Sequence, residues 1–163
     1  MEDVQTIFYH SPIGTLQIQG DAEAIYSVLF DPAEKEVESA GAAGEVLRCR
    51  EQLDAYFHGS LRSFDLNLQP QGTFFQAGVW EKLHRIPFGE TTTYLELSKW
   101  TGDVRNVRAV GSANGKNPIA IIIPCHRVIG SDNKLVGYAG GIWRKKWLLE
   151  HEARFGHGVQ TLF

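Results

Sequence analysis

Residues 119–123 read Ile-Ala-Ile-Ile-Ile, five apolar positions without a polar interruption. A strand with one face in water alternates apolar and polar residues. An unbroken run this short, rich in β-branched side chains, predicts a buried strand or extended segment covered on both sides. The run stops at Pro124, and Cys125, His126 and Arg127 follow at once. Any fold of this chain must therefore bury 119–123 and hold a thiol, an imidazole and a guanidinium where the run ends. A thiol beside an imidazole is either a reactive pair or two core residues, and the surrounding sequence has to decide.

Upstream of residue 70 the pattern has two periods. Residues 4–19 predict two short strands around the turn His10-Ser11-Pro12-Ile13-Gly14, and 24–30 predict a third. The charged and small stretch 31–44 predicts a loop. Over 45–57 the period changes to that of a helix, with Val46, Cys49, Leu53 and Tyr56 on one stripe. Cys49 lies within that stripe, so it is expected to be a core thiol. Residues 63–68 alternate like a half-buried strand, and Gln69-Pro70-Gln71-Gly72 predicts a linker.

Beyond the linker, helix punctuation dominates. Thr73 with Gln76, and Thr93 with Glu96, have the spacing of capping boxes. The first opens a helix with Phe75, Val79, Leu83 and Ile86 on one face, and the second a short helix to about Trp100. Asp103 is a candidate N-cap for a further helix over 104–115. Two short helices joined by a Gly-containing turn predict a helix-turn-helix. Residues 130–134 predict a turn, 137–141 a glycine-rich loop, and 143–155 a final helix. The expected class is α+β: a small N-terminal α/β lobe (1–72, antiparallel sheet plus helix), then a mostly helical C-terminal domain (73–163) containing the helix-turn-helix.

The net charge of −3 conceals an asymmetry. Residues 1–98 sum to −9, whereas residues 99–146 carry nine Lys/Arg against two Asp, a net +7. Such a block suits either an anionic partner or a solvated face. No stretch approaches the roughly 18 to 20 apolar residues that cross a bilayer. An acidic start at Met1-Glu2-Asp3 lacks the basic region of a signal peptide. Two cysteines in 163 residues suit a reducing, cytoplasmic compartment. The six histidines and two cysteines form no ligand-spaced cluster, so no metal is expected.

Chemistry concentrates at three places: Cys125-His126, the loop around Tyr138, and Glu152 on the last helix. A cysteine attacks as its thiolate, which a nearby base helps to form. Adjacent residues on an extended chain face opposite ways, so His126 needs a bend or a bridging water to serve Cys125. Glu152 is placed to orient the imidazole, by the logic of a nucleophile–base–acid triad.

Several stretches occur together in one order: 74–94 (FFQAGVWEKLHRIPFGETTTY), 108–114 (RAVGSAN), 117–130 (NPIAIIIPCHRVIG), 137–141 (GYAGG) and 145–152 (KKWLLEHE). Together they resemble the O6-alkylguanine-DNA alkyltransferases over about residues 73–153. Toward the N-terminus the resemblance is looser. It implies repair by direct reversal, in which an alkyl group moves from guanine O6 in double-stranded DNA to the protein's own cysteine, once. By that resemblance Cys125 would be the acceptor, His126 its base through a water, and Glu152 the group fixing the imidazole. Asn117 would brace the turn before the active-site segment. Tyr94 would hydrogen-bond the flipped guanine, with backbone carbonyls of Cys125 and Val128 meeting its exocyclic amine. Tyr138 and Ala139 would wall the pocket. Arg108 would fill the gap in the base stack, and Ala109, Ser112, Ala113 and Asn114 would line the approach to the minor groove, with Tyr94 beside them. The resemblance implies a monomer acting without a cofactor. The chain departs from the family's common pattern at Val104 and Asn106, which puts the docking turn rather than the chemistry in question.

Overall fold

The computed structural model describes residues 3–32 and 35–157. They divide into two compact units. One holds the described residues up to Gln71 together with Pro118–Ile122, and the other holds Gly72–Asn117 and the chain from Ile123 onward.

In the first unit, strands β1 (Gln5–Ser11), β2 (Gly14–Gly20) and β3 (Ile25–Phe30) form an antiparallel meander in that order. The β1–β2 hairpin closes with Ser11 opposite Gly14. Gly14 adopts φ +117°, a conformation that side chains resist. Helix α1 (Glu45–Phe57) packs on the sheet through the predicted stripe: Val46, Cys49, Leu53 and Tyr56 are all fully buried.

Residues 63–68 form no strand. Leu68 makes one isolated parallel bridge to Ile25, with Ile25 N donating to Asn67 O at 2.8 Å and Gln69 N to Ile25 O at 2.8 Å. Side chains of α1 satisfy the rest of this backbone. Gln52 Oε1 accepts from Asp65 N, Gln52 and Arg48 donate to Asp65 O, and Glu45 accepts from Asn67 N. A backbone satisfied in this way needs no partner strand.

The four isoleucines of the run 119–123 are buried, as expected, with Ala120 half-buried, but the run is not a strand. Ile119 bridges Val28 in parallel, and Ala120 N donates to Val28 O at 2.9 Å. The chain then folds back, with Ile122 N donating to Ala120 O at 2.8 Å across Ile121, whose φ is +71°. This is a γ-turn of the strained kind. A β-branched residue held there costs on the order of 1–3 kcal/mol, sustained only because its surroundings over-determine it.

In the second unit, α2 (Phe74–Leu83) starts on a complete Thr73–Gln76 capping box. Its buried face is Val79, Trp80 and Leu83. Phe75, expected in the core, is 37% exposed, because Trp80 takes the interior and donates its indole N–H to Ala113 O at 2.8 Å. Gly72 allows that ring close; a Cβ there would lie 2.4 Å from it. Helix α3 (Tyr94–Trp100), a 3-10 turn over Val104–Asn106 and helix α4 (Val107–Gly115) form the helix-turn-helix. Asp103 caps the 3-10 turn by accepting from Arg105 N, so the turn at Val104 and Asn106 is hydrogen-bonded and regular. Short strands β4 (Thr92–Thr93) and β5 (Val128–Ile129) pair in parallel, and α5 (Ile142–His157) ends the described chain. No helix among the described residues is long and apolar enough to cross a membrane.

Candidate active site

Pro124, at φ −82° and ψ 62°, forms an inverse γ-turn in which Cys125 N donates to Ile123 O at 2.8 Å. A single 3-10 turn, Cys125–Arg127, follows and runs into β5. This is the bend that the Cys-His pair needed. Asn117 Nδ2 donates to Ile123 O at 2.8 Å, bracing the turn from the other side.

Glu152 on α5 is the hub. It is 1% exposed and accepts from four donors: His126 Nε2 at 2.6 Å, Arg127 Nε at 2.8 Å, Arg127 Nη2 at 3.1 Å and Gly89 N at 3.3 Å. Arg127 Nη1 also donates to Ile86 O at 2.7 Å. Burial alone would raise the Glu152 carboxyl. The charges and hydrogen bonds of His126 and Arg127 outweigh that and hold it below the usual carboxylate range. His126 is fully buried, and burial lowers its imidazole, with Glu152 pulling the other way. The imidazole is therefore neutral at neutral pH. Because Nε2 faces a carboxylate, the ring proton sits there and Nδ1 keeps a free lone pair. Nδ1 is buried and has no partner among the described residues.

Burial raises the Cys125 thiol, while a hydrogen bond from Asn117 and the charge of Lys145 oppose the shift. Lys145 was not anticipated. Its side chain is fully buried, and Nζ donates to Val136 O at 2.9 Å and Gly137 O at 3.3 Å, and lies 3.5 Å from Tyr94 Oη. Burial lowers its ammonium to about 8. Its sequence signal was a cation one helical turn before Leu148 and Leu149, on the stripe that also carries Glu152. Arg127 carried less signal, since alternation past Pro124 does not foretell a buried guanidinium.

The structure brings Tyr94 and Tyr138 to this site. Tyr94 Oη donates to Val136 O at 3.0 Å, and its phenol is raised by burial and then by the charge of Cys125. Tyr138 Oη is buried without a partner among the described residues, and burial together with the charge of Cys125 raises it well above the ordinary phenol value. Val128 is buried on β5, and Ala139 is exposed in the turn before α5.

On α4 the residues expected to meet DNA part company. Arg108, Ala109 and Ser112 lie on the exposed face with Lys116 just beyond. Ala113 and Asn114 are buried, at 2% and 4%. Ala113 sits beneath Trp80, and Asn114 Nδ2 reaches Cys125 O at 3.4 Å. Both face the interior because Val110, Ala113 and Asn114 make the inner stripe of α4, so neither lines a groove-facing surface. Among the described residues no three or more His, Cys, Asp or Glu gather as metal ligands.

The chain matches two family models: 6-O-methylguanine DNA methyltransferase, ribonuclease-like domain, over residues 4–70, and 6-O-methylguanine DNA methyltransferase, DNA binding domain, over residues 74–154. It is 47% identical over 148 residues to a methylated-DNA–protein-cysteine methyltransferase of Methanosarcina acetivorans, covering 88% of this chain and 95% of that one. A protein of the same name from Mycobacterium bovis is 44% identical over 159 residues, covering 94% of each. Among solved structures, the O6-methylguanine methyltransferase of Mycobacterium tuberculosis superposes with a TM-score of 0.83 at 42% identity, over 94% of this chain and 95% of that one. A structure of the M. tuberculosis protein in complex with DNA gives 0.81 at 42% identity, over 92% and 93%.

Proposed function

The chain belongs to the 6-O-methylguanine DNA methyltransferase family, and from that membership and its site we propose that it repairs O6-alkylguanine in DNA by moving the alkyl group onto Cys125. Residues 73–163 serve as the alkyltransferase domain and 1–72 as the N-terminal lobe. The observation that carries the residue assignment is the His126–Glu152 pair at 2.6 Å, which leaves Nδ1 of the adjacent imidazole as a buried base without a partner among the described residues.

The chemistry balances as follows. The Cys125 sulfhydryl proton moves to His126 Nδ1 through a bridging water, and the imidazolium formed is compensated by Glu152. Sulfur attacks the alkyl carbon, the carbon–O6 bond breaks, and its electron pair leaves with guanine, which regains a proton at N1 in place of the one the thiol gave up. Tyr94 Oη, whose one proton goes to Val136 O in the free protein, turns that proton to the base and stabilises the leaving group. The buried ammonium of Lys145 favours the thiolate and holds Val136 and Gly137 in place beside Tyr94. Displacement at saturated carbon suits soft sulfur. The thioether product is inert, so each chain acts once. Val128 O and Cys125 O meet the exocyclic amine, and the Tyr138–Ala139 loop walls the pocket. A target inside a duplex must be extruded, at a cost of a few kcal/mol. A cytoplasmic setting fits two cysteines that are both free thiols.

The deciding experiment is an intact mass after incubation with a duplex carrying one O6-methylguanine. The expected result is a gain of one methylene mass, mapped to Cys125 and stopping at one equivalent. Lesion binding without mass gain would reduce the protein to a damage sensor.

Exposed on α4, Arg108 is the proposed finger that replaces the lost stacking. Stacking is worth about 1–3 kcal/mol per base, so Arg108→Ala should slow transfer from duplex by about 5- to 150-fold. Transfer from free O6-benzylguanine should hardly change. Equal slowing on both substrates would remove the finger role.

A further inference from the structure

Asn114 sits on the DNA-binding helix, yet its carboxamide is turned inward to the active-site segment. Its Nδ2 donates to Cys125 O at 3.4 Å. That bond engages the amide N–H end and leaves Oδ1 as the free end. Oδ1 is buried and has no partner among the described residues. Leaving such an acceptor unsatisfied costs about 1–3 kcal/mol, and buried polar groups of this kind are few in native folds.

We infer that Asn114 is a base-reading residue, whose Oδ1 accepts a hydrogen bond from the 2-amino group of the extruded O6-alkylguanine. This deepens the function proposed above and rests on it. The lesion's own chemistry selects the partner. Alkylation at O6 removes the proton from N1, so N1, N3, N7 and O6 are all acceptors. The only donor the base retains is its exocyclic amine. An acceptor facing the base therefore has one group to meet. The two ends of a carboxamide are about 2.3 Å apart, so Oδ1 lies beside the Cys125 carbonyl that Nδ2 touches. One amine N–H can be shared between that carbonyl and Oδ1, with the other left to Val128 O. The arrangement reads guanine against adenine, which has no 2-amino group, and it explains why a polar side chain stands on the inner stripe between Val110 and the core.

The test is a substrate-and-residue cycle, using duplexes with O6-methylguanine or O6-methylhypoxanthine, which lacks the 2-amino group. In single-turnover transfer the wild-type chain should favour the amino-bearing lesion by about 5- to 150-fold, the 1–3 kcal/mol of an unsatisfied group converted to a rate. Asn114→Leu should slow transfer from O6-methylguanine and shrink that preference at least several-fold. Asn114→Ser, which opens space instead of filling it, should show the same loss of preference, so a packing fault in one variant cannot imitate the result. Equal slowing on both lesions, with the preference intact, would make Asn114 merely structural and overturn the inference. So would a wild-type chain that ignores the 2-amino group while still gaining its methylene. A wild-type chain that gains no methylene from either lesion would overturn the proposed function as well.

Discussion

A Cys125→Ser chain is expected to bind the lesion duplex and gain no mass at all. The exchange removes one atom's worth of softness and several orders of magnitude of acidity, with almost no change in shape. Cys125 already begins at a disadvantage, since burial raises its thiol and only Asn117 and Lys145 counter that. A serine hydroxyl, far weaker as an acid than any thiol, would not ionise beside a neutral imidazole. The family's alkyl-transfer chemistry then has no other outlet. Cys49 is no substitute: it is fully buried in α1, and burial with the nearby Glu45 charge pushes its thiol up to about 12. Intact mass and peptide mapping check both points. A methylene found on Cys49, or a Cys125→Ser chain that gains its methylene at a rate near that of wild type, would defeat the assignment of Cys125. Lesion binding should stay within about threefold of wild type, because the substitution costs at most one weak contact.

Much of this site is legible in the sequence, and for local reasons. The capping box at Thr73, the Thr93 cap, which forms without the reciprocal Glu96 bond, and the stripe Val46, Cys49, Leu53 and Tyr56 are short-range signals, and short-range signals survive tertiary packing. Cys125, His126 and Glu152 stand out by residue type and by resemblance, and His126 Nε2 lies 2.6 Å from the Glu152 carboxylate. What stayed hidden depended on partners distant in sequence. Residues 63–68 alternate correctly but find their hydrogen bonds in side chains of α1. The apolar run folds back at Ile121 without glycine, proline or asparagine at the turn centre, so nothing local announces it. Ala113 and Asn114 were assigned to the wrong side of α4 because the helix begins after a 3-10 turn and its inner stripe falls on 110, 113 and 114. Lys145 and Arg127 are charges in the core, which composition alone argues against. Each is there because it meets an acceptor: Glu152 and Ile86 O for Arg127, and Val136 O and Gly137 O for Lys145.

The largest loss of stability should follow from Glu152→Ala. Glu152 answers four donors, and two of them belong to Arg127, itself buried. Removing one partner of a buried pair leaves an uncompensated charge, at a cost of about 3–5 kcal/mol. For a chain of this length that lowers Tm by about 6–20 °C. The methyl-transfer rate should fall as well, since His126 loses the acceptor that fixes its tautomer. The dependence on pH separates this from a simple packing defect. The folded carboxyl of Glu152 lies below its ordinary value, so its stabilisation is complete above about pH 4.3 and is lost as pH falls toward the folded value. The folded imidazole of His126 also lies below its ordinary value. Below about pH 6.5 the unfolded chain takes up a proton that the folded chain refuses. Wild-type stability should therefore be flat above about pH 7, decline gently below 6.5 and more steeply below about 4.3. In Glu152→Gln the steep acid limb should shrink to what the depressed carboxyls of Asp21 and Asp103 leave, while the gentle one persists. Thermal denaturation from pH 3 to 8, followed by circular dichroism, distinguishes the two limbs. If Glu152→Ala melts within a degree or two of wild type, or if Glu152→Gln keeps the steep limb undiminished, the buried cluster is not what holds α5 to the active-site segment.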